Sequence, residues 1–441
     1  MIRLSADVER WIYTRPRTAI APVIVLADKP RELLEELHPM KIKLLWSSRM
    51  FRGAIFGQAT EGIIGMRIIE RLRMLALPLP IDSIIDLADR KEVKKIYPDR
   101  LVQALQFPVV PPEGRYTTGE KRPVEYTSTY WTSRLIGADK AWSMGITGQG
   151  VTVSVIDTTA VPFHPSLRGA MWETSYPGIL SDTNGHGVWV GGCVAGPYAE
   201  VAAGQTKIPV QGVAPNSRLL LYKGLVTTLG VGLQSAIIEA MVNSVLLHRA
   251  KIINMSLGSS DAPENPEDDA QVYALEELSK LGVIFCVAAG NDGEPYTINT
   301  PGIAESAITV GSYNPISGSL SPFSSQGPTP DRRVKPDLVM PGENILGPTV
   351  GLLDVMTRPK PIPGYGVLSG TSMATPHCAG LCALIVEHGQ KNGINVTAST
   401  IKQVMSSYGE YYGELKNNQY GWGVLTWDKW MSYAKEVMGI A

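Results

Sequence analysis

Four residues of this 441-residue chain carry groups suited to acyl transfer. Ser372 lies in GTSMATPHCAG (370–380), at the start of an apolar, helix-like run that also contains Pro376. His186 lies in DTNGHGVWVGGCVAG (182–196), Asp157 ends GVTVSVID (150–157), and Asn291 follows the apolar run of VAAGNDG (287–293). Each has a plain structural reading. Ser and Thr cap helices and proline is cheapest near a first turn. Aspartate after a strand and asparagine between glycines are turn residues, and a histidine among glycines can be an ordinary loop residue. Together they do more. A serine hydroxyl is a weak nucleophile until a base takes its proton, histidine titrates in the range to do so, and an aspartate fixes its tautomer. A serine at a helix start can also donate its own unpaired N–H to an oxyanion, with a side-chain amide as the second donor.

These residues need elements to bring them together. After residue 130 short β-branched runs, GVTVSVID (150–157), RLLLYKGL (218–225), KIINMSLG (251–258) and GVIFCVAAG (282–290), alternate with helix-like segments such as 235–249 and 270–282. That alternation predicts an α/β fold, a parallel sheet with helices on both faces and a site at the carboxyl ends of the strands. Five glycines at 185, 187, 191, 192 and 196 make a poor isolated helix and a good closely packed one. Before the exposed connector, 106–129, rich in proline, glycine and charge, residues 1–105 read as a small α+β domain. Its expected elements are strands at 22–28, 41–48, 53–59 and 93–99 and helices at 31–38, 62–77 and 81–90. Residues 130–441 form the catalytic-size domain.

The chain resembles the subtilisin-like serine proteases, the subtilases. GTSMATPH is the most specific motif; VIDT, GHG and AAGN occur in the family's order, and QGVAPNSRLLLYK (211–223), NMSLG (254–258) and FSSQGPTPDRRVKPDLVMPG (323–342) are further family-like segments, over roughly 130–435. The resemblance implies a triad of Asp157, His186 and Ser372, with Asn291 and the Ser372 N–H at the oxyanion. It implies a substrate strand lying between Ser256–Leu257–Gly258 and Gly230–Val231–Gly232. Small residues at Ala288, Ala289 and Gly290 imply an open primary pocket for an apolar or aromatic side chain. Residues 1–105 resemble an inhibitor-type propeptide whose tail, YPDRLVQAL (97–105), fills the cleft, with self-cleavage expected at Leu105–Gln106; 60–80 looks like an insertion whose apolar helix could dock on the protease or bind another chain. The chain departs from the family at Thr159, Val188 and Trp189, which puts the packing around His186 in question, while His164 and His377 match framework positions.

Composition narrows the rest. Lys and Arg number 40 against 41 Asp and Glu, so no charge excess favours nucleic acid or an anionic membrane. The N-terminus lacks a signal-length apolar run, and no segment reaches roughly 18 apolar residues, so the chain reads as soluble, cytoplasmic or exported with a signal already removed. Cys193, Cys286, Cys378 and Cys382 show no metal-ligand spacing and read as small buried residues, with 378 and 382 on one helix face. No metal or cofactor is expected for the chemistry; structural calcium has no clear motif, since 197–210 lacks an acid and amide cluster. The acidic run 261–270 reads as a helix start, with Asn265 as cap, Pro266 next and Glu267, Asp268 and Asp269 in the first turn. Two function classes follow: a serine endopeptidase with its own propeptide as inhibitor, or a catalytically impaired subtilase-shaped binding or scaffold protein that keeps its propeptide.

Overall fold

The structure is a computed structural model that describes residues 4–37, 66–105, 126–203, 206–226, 228–357, 362–409 and 416–440. Its centre is a seven-stranded parallel sheet in the order 338–341, 308–313, 284–288, 252–255, 152–157, 218–223, 171–174. Four of the five inner strands are buried at every position, and the fifth, 218–223, everywhere but Arg218, which is why they read as continuous apolar runs without alternation.

One face carries two helices, His186–Ala195 and Thr371–Lys391. Both are apolar on nearly all sides because both are enclosed: every residue of the first is buried, as is every residue from Thr371 to Gly389 of the second. The glycines of the first helix let it approach its neighbours. A Cβ at Gly192 would stand 2.3 Å from Pro348 Cγ, and one at Gly191 would stand 2.9 Å from Leu221 Cδ2. The opposite face carries helices Gln234–Leu246 and Ala270–Ser279, with Ile237, Ile238, Leu275 and Leu278 in a second cluster.

The N-terminal residues build their own four-stranded antiparallel sheet, in the order 67–69, 74–80, 20–27, 93–98, around a separate core that includes Val23, Val25, Leu77 and Ile84. Helices Ala6–Thr14, Pro30–Leu37 and Ile81–Ala88 accompany it.

Three expectations need correction. Residues 62–77 are not a helix where described: Arg67–Ile69 and Met74–Pro80 are strands joined by a short 3-10 turn, with Arg73 left-handed at φ 57. Antiparallel pairing of 74–80 along 20–26 satisfies the backbone instead. The helix of the acidic run begins at Ala270 with Asp269 as its cap, while Asn265 caps a separate 3-10 turn, Pro266–Asp268. The last residues assigned to the connector are ordered elements: Thr127–Ser128 pairs in parallel with 345–346, and a helix starts at Thr129. The strands expected at 41–48 and 53–59, residues 62–65, most of the connector and Gln106 lie outside the described residues.

Candidate active site

Asp157 ends the inner strand Thr152–Asp157, and its carboxylate is held by the next backbone N–H and by His186. Its Oδ1 accepts from the Thr158 N–H at 2.7 Å, and both its oxygens meet His186 Nδ1, at 2.8 and 2.9 Å. The histidine is the first residue of its helix, after Gly185 at φ 99. Asp182 holds that turn by accepting the N–H groups of Asn184 and Gly185, at 3.0 and 2.8 Å, and Asn184 Oδ1 accepts the His186 N–H at 3.0 Å. The aspartate and histidine turns are tied together. Thr158 Oγ1 accepts from the Gly187 N–H and donates to Asp182, to which Thr159 also donates. Buried Lys223 donates to the carbonyls of Thr158 and Ser181, and desolvation lowers its pKa against the pull of Asp182 and Asp157.

The two departures in the GHG motif, Val188 and Trp189, are buried packing residues, and the third departure, Thr159, is buried as well. Trp189 is fully buried, and Gly347 leaves its indole room: a Cβ there would stand 2.4 Å from Trp189 Nε1. Thr159 lies against Gly187, where a Cβ would meet its Oγ1 at 2.7 Å.

Ser372 is the second residue of helix Thr371–Lys391, behind Gly370. Its hydroxyl donates to the Ser256 carbonyl at 2.9 Å, and the Ser256 hydroxyl donates back to the Ser372 carbonyl at 3.0 Å. This exchange explains Pro376. Proline has no N–H for the carbonyl four residues earlier, which is that of Ser372. Ser256, itself fixed by Asn254 Nδ2 at 3.0 Å, supplies the missing donor. No signal in the sequence joins positions 256 and 372, so this partnership was not legible there.

Asn291 is oriented by the same helix start. Its Oδ1 accepts from both the N–H and the hydroxyl of Thr371, each at 2.9 Å, which leaves Nδ2 facing outward. There it donates to the carbonyl oxygen of Leu105 at 3.2 Å, and that oxygen lies 3.4 Å from Ser372 Oγ. Residues Leu101–Ala104 arrive as a strand between two partners, 231–233 on one side and 257–258 on the other, both antiparallel. Leu101 is exposed, Val102 buried, Gln103 exposed and Ala104 buried, and the Leu105 side chain is buried too. Ser372 and Asn291 thus lie at one groove with 256–258 and 230–232 at its walls, and Asp157 and His186 form a bonded pair at the end of strand 152–157. Ala288, Ala289 and Gly290 are buried where the strand 284–288 runs into Asn291.

A buried carboxylate on a helix start and a half-buried ion pair hold the N-terminal residues in place. Asp99 accepts from the N–H and hydroxyl of Ser235, at 2.9 and 2.7 Å, at the start of helix Gln234–Leu246. Arg67 reaches Glu239 at 3.3 Å from the same helix, so the described part of the 60–80 segment does face the larger unit, as a strand. His377 and His164 stand apart. His377 bonds Thr132 Oγ1 and the Met373 carbonyl, and burial pushes it down to about 4. His164 bonds the Gly364 carbonyl and the Ser166 N–H.

Residues 148–423 match the model of the subtilase family, Peptidase S8, which is more than half of the chain. The chain is 33% identical over 303 residues to the serine protease AprX of Bacillus subtilis, covering 64% of this chain and 66% of that one, just under two thirds of its length. It is 34% identical over 272 residues to the major intracellular serine protease of the same organism, covering 59% and 75%. Against the membrane-bound transcription factor site-1 protease of Mus musculus identity is 29% over 363 residues, 73% of this chain and 32% of that protein. The chain belongs to the subtilase family of serine proteases, enzymes of hydrolase type.

Proposed function

We propose that the chain is a serine endopeptidase made as a precursor, in which residues 1–105 act as an intramolecular inhibitor of a catalytic unit at 130–441 and are severed from it at Leu105–Gln106. The observation that carries this reading is the Leu105 carbonyl oxygen, within reach of both Asn291 Nδ2 and Ser372 Oγ, at the end of a strand paired on both sides.

In this reading Ser372 Oγ leaves its bond to the Ser256 carbonyl and attacks the carbonyl carbon, while its proton passes to His186. Nδ1–H of that ring is engaged by Asp157, which makes Nε2 the basic nitrogen and steadies the imidazolium. The oxyanion that forms is met by Asn291 Nδ2 and by the Ser372 N–H, one of the helix-start donors without an intrahelical acceptor. Collapse expels the amine of the following residue, which takes the proton from His186 and leaves an ester between Ser372 and the acyl half. Water, deprotonated by the same histidine, then hydrolyses that ester. A buried leucine at the carbonyl, together with the small residues Ala288, Ala289 and Gly290, supports a preference for apolar or aromatic residues before the cut.

The test is intact-mass spectrometry of wild type and Ser372→Ala side by side. Wild type is expected to split after Leu105 and the variant to stay whole. If both stay whole and a fluorophosphonate fails to label Ser372 after limited proteolysis, the chain is instead a binding or scaffold member of its family.

A further inference from the structure

Three of the four cysteines, far apart in sequence, meet in the core. Cys286 lies on strand Ile284–Ala288, and Cys378 and Cys382 lie one turn apart on helix Thr371–Lys391. Their sulfurs all lie within 4.8 Å of one another, and Cys286 Sγ is 3.8 Å from Cys378 Sγ. All three side chains are 0% exposed and all three are free thiols. Among the described residues this is the one group of metal-ligating side chains so gathered. Cys193, the fourth cysteine, sits elsewhere, 3.4 Å from His377 Nδ1.

A buried cysteine is usually a small apolar residue, and each of these alone would be read so. The convergence is what differs. Two thiolates on one metal ion at about 2.3 Å stand about 4 Å apart, whether the angle between them is tetrahedral or trigonal. The three sulfurs therefore already have the spacing of ligands around a common centre, and drawing them onto an ion requires rotamer adjustments rather than backbone movement.

The donor set selects the ion. Three soft sulfurs, gathered with no imidazole or carboxylate of the described residues, favour a thiophilic cation over calcium or magnesium. A structural zinc ion takes four protein ligands, and the gathered set has three. Three-coordinate sulfur with nothing else at hand suits Cu(I). We propose that Cys286, Cys378 and Cys382 form a three-sulfur site for a cuprous ion. In the uptake step Cu(I) forms three Cu–S bonds. Each sulfur that binds as a thiolate releases one proton to solvent; one such loss leaves the site neutral, and no electron is transferred.

The site's location gives binding a consequence. Cys286 is two residues before Ala288, on the strand that runs into Asn291, and Cys378 lies on the helix that starts beside Ser372. A bound ion cross-links these two elements beneath the groove. The site does not depend on the proposed proteolysis, and its test needs no turnover.

The full chain, kept reduced under argon, is given Cu(I) as its acetonitrile complex and then gel-filtered in a moderate cuprous chelator. One copper per chain, X-ray absorption showing three sulfur neighbours, and a melting temperature raised by a few degrees are expected. Cys286→Ala, Cys378→Ala and Cys382→Ala should each reduce retained copper at least tenfold, and Cys193→Ala should leave it unchanged. Loss of all copper from wild type, retention indifferent to the three substitutions, or zinc retained while copper is refused would each overturn the assignment. Should the variants not fold, the ligand identity seen by X-ray absorption on wild type decides: nitrogen or oxygen neighbours refute the site.

Discussion

Asn291 shows how a single side chain is aimed. An amide can present either end, and here the backbone and hydroxyl of Thr371 both take its oxygen, so only the NH2 end can face Leu105. Asn291→Leu keeps the bulk and removes the donor. The expected result is a kcat on peptide substrates lower by about 10²–10³, the magnitude known for such a donor in subtilisin itself, with KM nearly unchanged. A rise in KM at constant kcat would mean that Asn291 binds the ground state only. His186, Asn291 and Ser372 could be singled out because each sits in a short motif with glycines beside it, and Asp157 because it ends an apolar strand-like run. Their supports could not. Thr371 can be seen as a helix-start residue, but nothing in the chain announces that it bonds a residue 80 positions earlier, nor that Ser256 stands in for the N–H missing at Pro376.

At the scale of elements, the helix His186–Ala195 depends on its glycines. Gly192→Ala would set a methyl group 2.3 Å from Pro348 Cγ, which lies on a strand with little room to yield. Overpacking of this kind costs about 1–3 kcal/mol. A urea midpoint lowered accordingly, without a change in slope, is expected; an unchanged midpoint would show that the strand 345–348 moves aside freely. Strands and helices of the larger unit were read well because their apolar runs differ in length and are punctuated by glycine. Residues 62–77 were misread for an equally physical reason. A strand buried on both faces shows no alternation, so its apolar residues fall at helical intervals as easily as at any other. Only the partner strand 20–27 decides, and it is not part of the local pattern.

The molecule as a whole is fastened at Asp337, where distant parts of the chain meet. Its carboxylate accepts from Lys335, two residues earlier, and from Lys416 at 2.7 Å, and Lys402 of the helix Ala398–Tyr408 stands 3.9 Å away. Burial pushes this carboxyl up, but Lys335, Lys402 and Lys416 outweigh it and hold it below the usual carboxylate range. Desolvation in turn lowers Lys335 to about 7, against the pull of Asp337. A carboxylate depressed in the folded state stabilises the fold above its unfolded pKa of about 4, and the contribution is lost as pH falls through the lower folded value. Asp337→Ala, which leaves Lys335 buried without its partner, is expected to cost about 3–5 kcal/mol near neutral pH, with the gap to wild type narrowing below about pH 4. Denaturant titrations at both pH values check it; a gap constant with pH would refute the charge argument. Assemblies of this kind, like the meeting of Cys286 with Cys378 and Cys382, belong to the tertiary level and leave no local trace. The strand Leu101–Ala104 has a kinetic corollary. Because it reaches the groove within its own chain, it meets Ser372 at a concentration fixed by the fold rather than by the solution. The proposed first cut should therefore follow first-order kinetics, with a half-time indifferent to dilution. Once severed, residues 1–105 hold the groove only by mass action, so dilution, which leaves the cut untouched, governs how much of the enzyme is open.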